Sequence, residues 1–168
     1  MNALEQLVTC DGFINMVSTI AFWLVVYIVI RYLSYRSGLN DLLNRAKKHI
    51  ASLRKICKNL SNMCKGSELD VQNAITTYKW IAKLQKLIFK LLVTYLFDDR
   101  NDKDVLGAKT LVEPITDMCK AALSRVVEVG NDADVQAIFE EIDSNLSTAS
   151  DLLSNAQKKD QKQKLLKV

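Results

Sequence analysis

The sequence predicts an all-α protein in which a single N-terminal transmembrane helix precedes an antiparallel four-helix bundle. Five glycines and one proline in 168 residues leave few turn signals for a sheet of short strands. An uncharged, mostly apolar run near the N-terminus has the length of a membrane-spanning helix. Four amphipathic segments then follow, joined by short breaks, which is the pattern of an up-and-down bundle.

The transmembrane anchor is predicted over residues 13–34. No charged residue lies between Asp11 and Arg31, and about 20 apolar residues suffice to cross a bilayer as a helix. Arg31 can extend its charged end to the headgroups, and the tyrosine rings beyond it favour the same depth. The residues assigned to the anchor are Phe13, Phe22, Trp23, Tyr27, Ile30, Arg31, Tyr32 and Tyr35. A buried core helix and a cleaved signal peptide are the alternatives; the latter is disfavoured because an acidic segment precedes the run and no small-residue cleavage site follows it.

The distribution of basic residues predicts the orientation of this signal-anchor. No Lys or Arg precedes the apolar run, whereas residues 31–65 carry nine basic groups against one acidic group. Basic residues flanking a span are retained on the cytosolic side. The short N-terminus, residues 1–12, is therefore expected outside and the helical domain in the cytosol, while the kind of membrane is not specified by the sequence.

The first helix of the bundle is predicted over 39–65 as a coiled-coil-like segment. Its apolar residues recur at alternating steps of four and three residues, which is a heptad pattern. Cys57 and Cys64 occupy one seam position in successive heptads, and Cys119 falls on the apolar face of a later helix. Because no CxxC pair or zinc-type spacing is present, these cysteines are interpreted as reduced core residues.

Three further helices are predicted, over 69–97, 105–129 and 132–157, before a basic flexible tail over 158–168. Pro114 either kinks or starts the third of the four helices. The fourth carries six acidic residues between 132 and 157 and no basic one, whereas the first is strongly basic. First and fourth helices are antiparallel neighbours in an up-and-down bundle, so their charges should attract each other.

The sequence contains no motif that argues for an enzyme. Nucleophile motifs, glycine-rich phosphate loops and metal-ligand spacings are absent, so no catalytic residue, metal site or cofactor is predicted. The single histidine, His49, lies among lysines on the basic helix and is interpreted as part of a solvated face.

The working surface is expected where basic and apolar side chains share one region of the chain. Four lysines of the second helix follow helical spacing on one face, and the segment from Phe89 to Phe97 is more apolar than a bundle seam requires. The residues assigned to a lipid or partner surface are Arg45, Lys47, Lys48, Lys79, Lys83, Lys86, Phe89, Lys90, Val93 and Phe97. The basic run over 31–65 has two other interpretations, namely topology and solvation, and attraction to anionic headgroups. Nucleic acid is not expected, because aromatic residues are not interleaved with the basic ones.

The leading functional hypothesis is a membrane-anchored cytosolic interaction module that acts in scaffolding or regulation. Its predicted partners are the lipid bilayer and a protein or complex, and a homo-oligomer is compatible with the pattern. One alternative is a membrane-active protein whose basic amphipathic helix binds, remodels or permeabilises bilayers. The other is a structural subunit of a larger membrane complex.

Overall fold

The computed structural model describes residues 10–66, 70–98 and 102–165, and within them the side chains of 18–31, 37–66, 70–97 and 102–159. The described residues form five helices and no strand, which confirms the predicted all-α helical bundle. The helices are α1 (Cys10–Lys65), α2 (Val71–Asp98), α3 (Lys103–Val112), α4 (Ile115–Val129) and α5 (Ala133–Leu165). The chain divides into two compact units, Met1–Leu39 and Asn40–Val168.

The first unit contains the N-terminal part of α1, where large apolar side chains face outward. From Ile20 to Ile30 most of them are about half exposed or more. No helix among the described residues has a segment both long and apolar enough to cross a membrane. The predicted transmembrane helix therefore finds no support in this structure. Phe13, Tyr32 and Tyr35, assigned to its ends, lie outside the described side chains.

The second unit is organised around a continuous apolar core. The heptad seam predicted for α1 is buried from Leu43 to Cys64 at every apolar position, each side chain being at most 3% exposed. The other helices contribute stripes at similar spacing, such as Ile81, Ile88 and Leu92 on α2. No polar or charged residue is buried among the described residues, so apolar packing is the main stabilising contribution of this core.

Helices α1 and α5 are antiparallel neighbours in this unit, as their opposite charges predicted. The Arg54 guanidinium donates to the Asp143 carboxylate at 2.6 Å, and toward the other end of the pair Lys47 Nζ donates to Gln157 Oε1 at 3.2 Å. Helix α3 also packs antiparallel to α5, with Asp104 paired to Lys159.

The predicted third helix is two helices, because Pro114 interrupts it. Pro lacks an N–H and its ring clashes with the preceding turn, so α3 ends at Val112 and Pro114 stands at the N-terminus of α4 with φ −81°. The interruption leaves carbonyl groups without helical partners. Gln85 of α2 provides a hydrogen-bond donor for them: its Nε2 donates to Val112 O at 3.0 Å and also to Glu113 O. Its Oε1 accepts from the Thr116 hydroxyl.

Two helix ends differ from the predictions. Helix α1 extends from Cys10 to Lys65. Gly38 lies within it, and a side chain at this position would meet no atom within 4 Å. Helix α5 continues to Leu165 through the segment predicted as a flexible tail. Lys, Gln and Leu are strong helix formers, which explains why this segment stays helical.

Candidate partner-binding surface

Helix α2 has a mixed apolar and basic outer face. Its buried stripe runs through Ala74, Ile81, Ile88 and Tyr95, at seven-residue intervals. The side chains that face away from the core define what is called here the α2 outer face. They are Lys79, Trp80, Lys83, Lys86, Leu87, Lys90, Val93, Thr94 and Phe97.

A groove of about 390 Å³ lies beside this face, where α2 passes the junction of α3 and α4. Its lining is Gln85, Lys86, Phe89, Lys90, Val93, Thr94 and Glu113. This α2 groove brings together four of the residues that the sequence assigned to the working surface. Its position follows from the Pro114 interruption, because Gln85 holds the carbonyls of the junction against α2.

Phe89 forms part of the wall of the α2 groove. Its ring is partly buried, and the ammonium group of Lys109 lies 4.7 Å from the ring centroid, a cation–π arrangement. The same ammonium lies 3.9 Å from the Glu113 carboxylate. Lys109 is therefore engaged on both sides and contributes little free positive charge to the groove.

The four lysines of the α2 outer face are all exposed to solvent. Within the described part of the chain, Lys79, Lys86 and Lys90 make no ion pair, and Lys83 lies over the Trp80 ring at 5.0 Å from its centroid. Like charges three and four residues apart on a helix repel one another. The surface therefore carries a concentrated positive field beside an apolar groove.

Two residues of this face were missed or misassigned from the sequence. The amphipathic pattern of the sequence also predicts Ile75 and Leu87 on the buried face of this helix. Leu87 is nevertheless 40% exposed, because the neighbouring Ile88 occupies the buried position of that turn. Trp80 was not assigned to the surface, yet it is 53% exposed. Its spacing of three and seven residues from Lys83 and Leu87 places all three along one line of the helix, and this spacing was the available signal. Ile75 was likewise predicted in the core and is exposed, since Ala74 takes the buried place.

The basic residues assigned on α1 do not belong to the α2 groove. Arg45 pairs with Asp41 one turn earlier at 2.7 Å, and Lys47 bonds with Gln157 of α5. Lys48 is exposed. The structure therefore separates the predicted surface into the α2 outer face, which includes Phe97, and a largely self-paired set on α1.

A second groove, of about 640 Å³, lies between α1 and α5. Its charged groups are mostly paired with one another: Arg54 makes two hydrogen bonds to Asp143, and Lys58 lies 3.4 Å from the same carboxylate. The hydrogen bond from Arg54 lowers the pKa of Asp143, and Asp143 raises the pKa of Arg54. Both effects favour the charged pair. Lys65 and Glu140 also line this groove, and neither makes an ion pair among the described residues.

The three cysteines whose side chains are described are buried and weakly reactive. Cys57, Cys64 and Cys119 are free thiols in the core, as predicted. A hydrogen bond with Cys119, together with burial, raises the pKa of the Cys57 thiol, and burial raises that of Cys64. Thiols held in this protonated form are poor nucleophiles. Among the described residues no group of three or more His, Cys, Asp or Glu side chains could hold a metal ion.

The residues assigned to the anchor, where their side chains are described, are exposed or nearly so. Phe22 and Trp23 meet edge to face, with ring centroids 6.0 Å apart, and each is 63% exposed. Tyr27 and Ile30 are similarly exposed, and Arg31 follows at the surface.

Comparison of the chain with protein-family models, curated proteins and solved structures finds no match.

Proposed function

We propose that this chain is a membrane-anchored helical module that acts by binding a protein partner, in scaffolding or regulation, and not by catalysis. The observation that carries the proposal is the α2 outer face, where exposed apolar side chains and unpaired lysines surround a groove. Some apolar side chains of α3 and α4 are exposed as well, but Trp80, Leu87 and Phe97 share their face of α2 with four exposed lysines. Contiguous exposed apolar surface rimmed by polar groups is typical of an interaction site.

The proposed anchor is the apolar part of α1 in the first unit. Its exposed side chains from Ile20 to Ile30 have no apolar covering among the described residues, and no charged residue interrupts the sequence between Asp11 and Arg31. A bilayer would cover them, and the basic residues that follow would keep the helical domain in the cytosol. Tethering raises the effective concentration of the module, so a surface of modest affinity suffices.

Site-specific photocrosslinking in cells tests the proposal. A photoreactive amino acid replaces Val93 in the α2 groove, or Ser124 on α4 as the control, an exposed residue that lines neither groove. We expect a discrete protein adduct from position 93 and none from position 124. Adducts of equal yield at both positions, or lipid adducts alone at position 93, would contradict a dedicated protein-binding surface.

A second candidate function is a membrane-active protein that lays α2 on the bilayer. The Trp80 ring beside Lys83 favours it, since tryptophan and lysine are enriched where helices lie in the headgroup region. Leakage of dye from anionic vesicles, lost when Lys83, Lys86 and Lys90 become Glu, would favour this function over the first. Intact vesicles at the same protein concentration would favour the interaction module.

A further inference from the structure

We propose that the partner presents an acidic amphipathic helix, whose apolar side chains enter the α2 groove beside Phe89 and Val93 while its carboxylates meet the lysines of the α2 outer face. This inference rests on the proposed function and specifies the chemical class of the partner.

The dimensions of the surface match a helix. From Trp80 to Phe97 the α2 outer face extends about 25 Å at 1.5 Å per residue. The exposed apolar side chains recur along it within each one or two turns, and the α2 groove opens beside its second half. An amphipathic helix that packs along a groove places apolar residues at such intervals.

The charge of the surface selects an acidic partner. Lys79, Lys83, Lys86 and Lys90 follow steps of four, three and four residues, and Glu113 is the single carboxylate that lines the groove. Carboxylates at the same spacing on an antiparallel helix would each lie opposite one of these ammonium groups. Complementary charge of this kind steers association and excludes basic partners.

A second copy of this chain does not supply such a helix among the described residues. The acidic helix α5 exposes Glu140, Glu141 and Asp151, which provide the charge. Between them the exposed positions are Ser144 and Thr148, and no large apolar side chain of α5 is exposed in the described part of the chain. Carboxylates without apolar anchors would leave the α2 groove empty.

A membrane surface fits the groove less well than a helix does. The lysines would attract anionic headgroups, but the apolar lining is recessed beside α2 and bears the Glu113 carboxylate on its edge. Side chains projecting from a helix can enter a recess of about 390 Å³.

The test uses the 168-residue chain in nanodiscs of neutral phosphatidylcholine and a fluorescent synthetic peptide of about 18 residues. The peptide carries Leu at i, i+3, i+4 and i+7 and Glu on both flanks of that stripe. One matched peptide replaces Leu by Ser and another replaces Glu by Lys. Binding is followed by anisotropy, and by a blue shift of Trp80 emission in a Trp23→Phe variant, which leaves Trp80 as the single tryptophan.

We expect saturable binding of the Leu–Glu peptide and none of the two matched peptides. The triple variant K83E/K86E/K90E should weaken binding about 100-fold, because three favourable contacts become repulsive. The control K55E/K120E/K158E reverses the same number of exposed charges away from α2 and should change the affinity less than about 3-fold. Leu87→Ser combined with Phe97→Ser should weaken binding about 10-fold through lost apolar contact.

Equal weakening by the triple variant and its control would overturn the inference, as would stronger binding of the Glu→Lys peptide. Binding of the chain to phosphatidylserine vesicles without any binding of the peptide would overturn it in favour of a membrane contact. Failure of the proposed function is distinguished by the photocrosslinking experiment. A protein adduct at position 93 together with absent peptide binding rejects the acidic helix alone, whereas absence of the protein adduct rejects the interaction module itself.

Discussion

The α1–α5 side of the second unit and the α2 outer face both carry several charged side chains, but these side chains differ in whether they form ion pairs. Between α1 and α5, Arg54 and Lys58 share the Asp143 carboxylate, and apolar residues beneath them are fully buried. On α2, Lys79, Lys86 and Lys90 have no ionic partner among the described residues, and apolar side chains stand beside them in water. Among the described residues, Lys65 and Glu140 at the α1–α5 groove make no ion pair either, but no large apolar side chain of α5 is exposed beside them. The combination of unpaired lysines with exposed apolar side chains, more than the presence of a groove on each side, supports the proposal that the α2 outer face binds a partner.

The largest difference between the two regions should appear when a leucine is truncated in each. Leu146 lies fully buried under the α1–α5 groove, so Leu146→Ala should lower the free energy of unfolding by about 2–5 kcal/mol. Leu87→Ala on the α2 outer face should change it by less than about 0.5 kcal/mol, because water already contacts that side chain. Urea unfolding of the 168-residue chain followed by circular dichroism measures both. Equal losses would mean that Leu87 belongs to the core.

A smaller effect is expected at the N-terminus of α3. Asp102 caps α3, where Oδ1 accepts from the backbone N–H of Asp104 at 3.0 Å and of Val105 at 3.2 Å. Asp102→Ala should cost about 1 kcal/mol of unfolding free energy, whereas Asp102→Asn should retain most of it since Asn also caps helices. The same unfolding experiment applies. A loss as large for Asn as for Ala would assign the effect to charge and not to the cap.

The α1–α5 ion pair should contribute less, with a defined pH dependence. The pKa of Asp143 is lowered in the folded chain, first by the hydrogen bond from Arg54. Its contribution is therefore complete above the unfolded pKa of about 4 and is lost as the pH falls through the lower folded pKa. Asp143→Asn should cost less than about 1 kcal/mol at neutral pH, because the pair is partly exposed, and progressively less as the pH falls below about 4. A difference between the two proteins that is independent of pH would exclude the ionic origin.

The smallest effect on stability is expected from the α2 lysines. Replacing Lys79, Lys83, Lys86 and Lys90 by Gln removes repulsion between like charges one turn apart, so unfolding free energy should rise by no more than about 0.5 kcal/mol. The rise should disappear in about 1 M salt, which screens such charges. Denaturation midpoints at low and high salt provide the measurement. A clear destabilisation would show that the lysines serve the fold instead of a ligand.

Much of the bundle could be predicted because its signals are local and periodic. The heptad seam of α1 predicted the residues that are buried from Leu43 to Cys64, and the opposite charges of the two helices predicted that α1 and α5 attract each other. Two helix starts carry a local signal as well, since Asp is a favoured N-cap residue and Asp70 and Asp132 accept from the backbone N–H of Asn73 and Val135.

The remaining features depend on tertiary context. Whether Leu87 or Ile88 is buried depends on the rotation of α2 against its neighbours, and both choices fit an amphipathic pattern. Pro114 predicted a kink or a helix start at this position. Which side chain would form hydrogen bonds to the freed carbonyl groups could not be predicted from the spacing of residues. Gln85 is distant in sequence and had no distinguishing motif. The α2 groove lies at this junction, so four of its residues could be predicted from the pattern of α2 but its concave shape could not.

The hydrogen bonds of the Gln85 amide should affect the rates of the proposed binding at the α2 groove. By bonding to the carbonyls of Val112 and Glu113 and accepting from Thr116, it holds the floor of the α2 groove in place before any ligand arrives. A preorganised floor spares the complex the entropy of ordering that segment. Gln85→Ala should therefore leave the association rate nearly unchanged and accelerate dissociation, so that complexes form as often but persist for a shorter time.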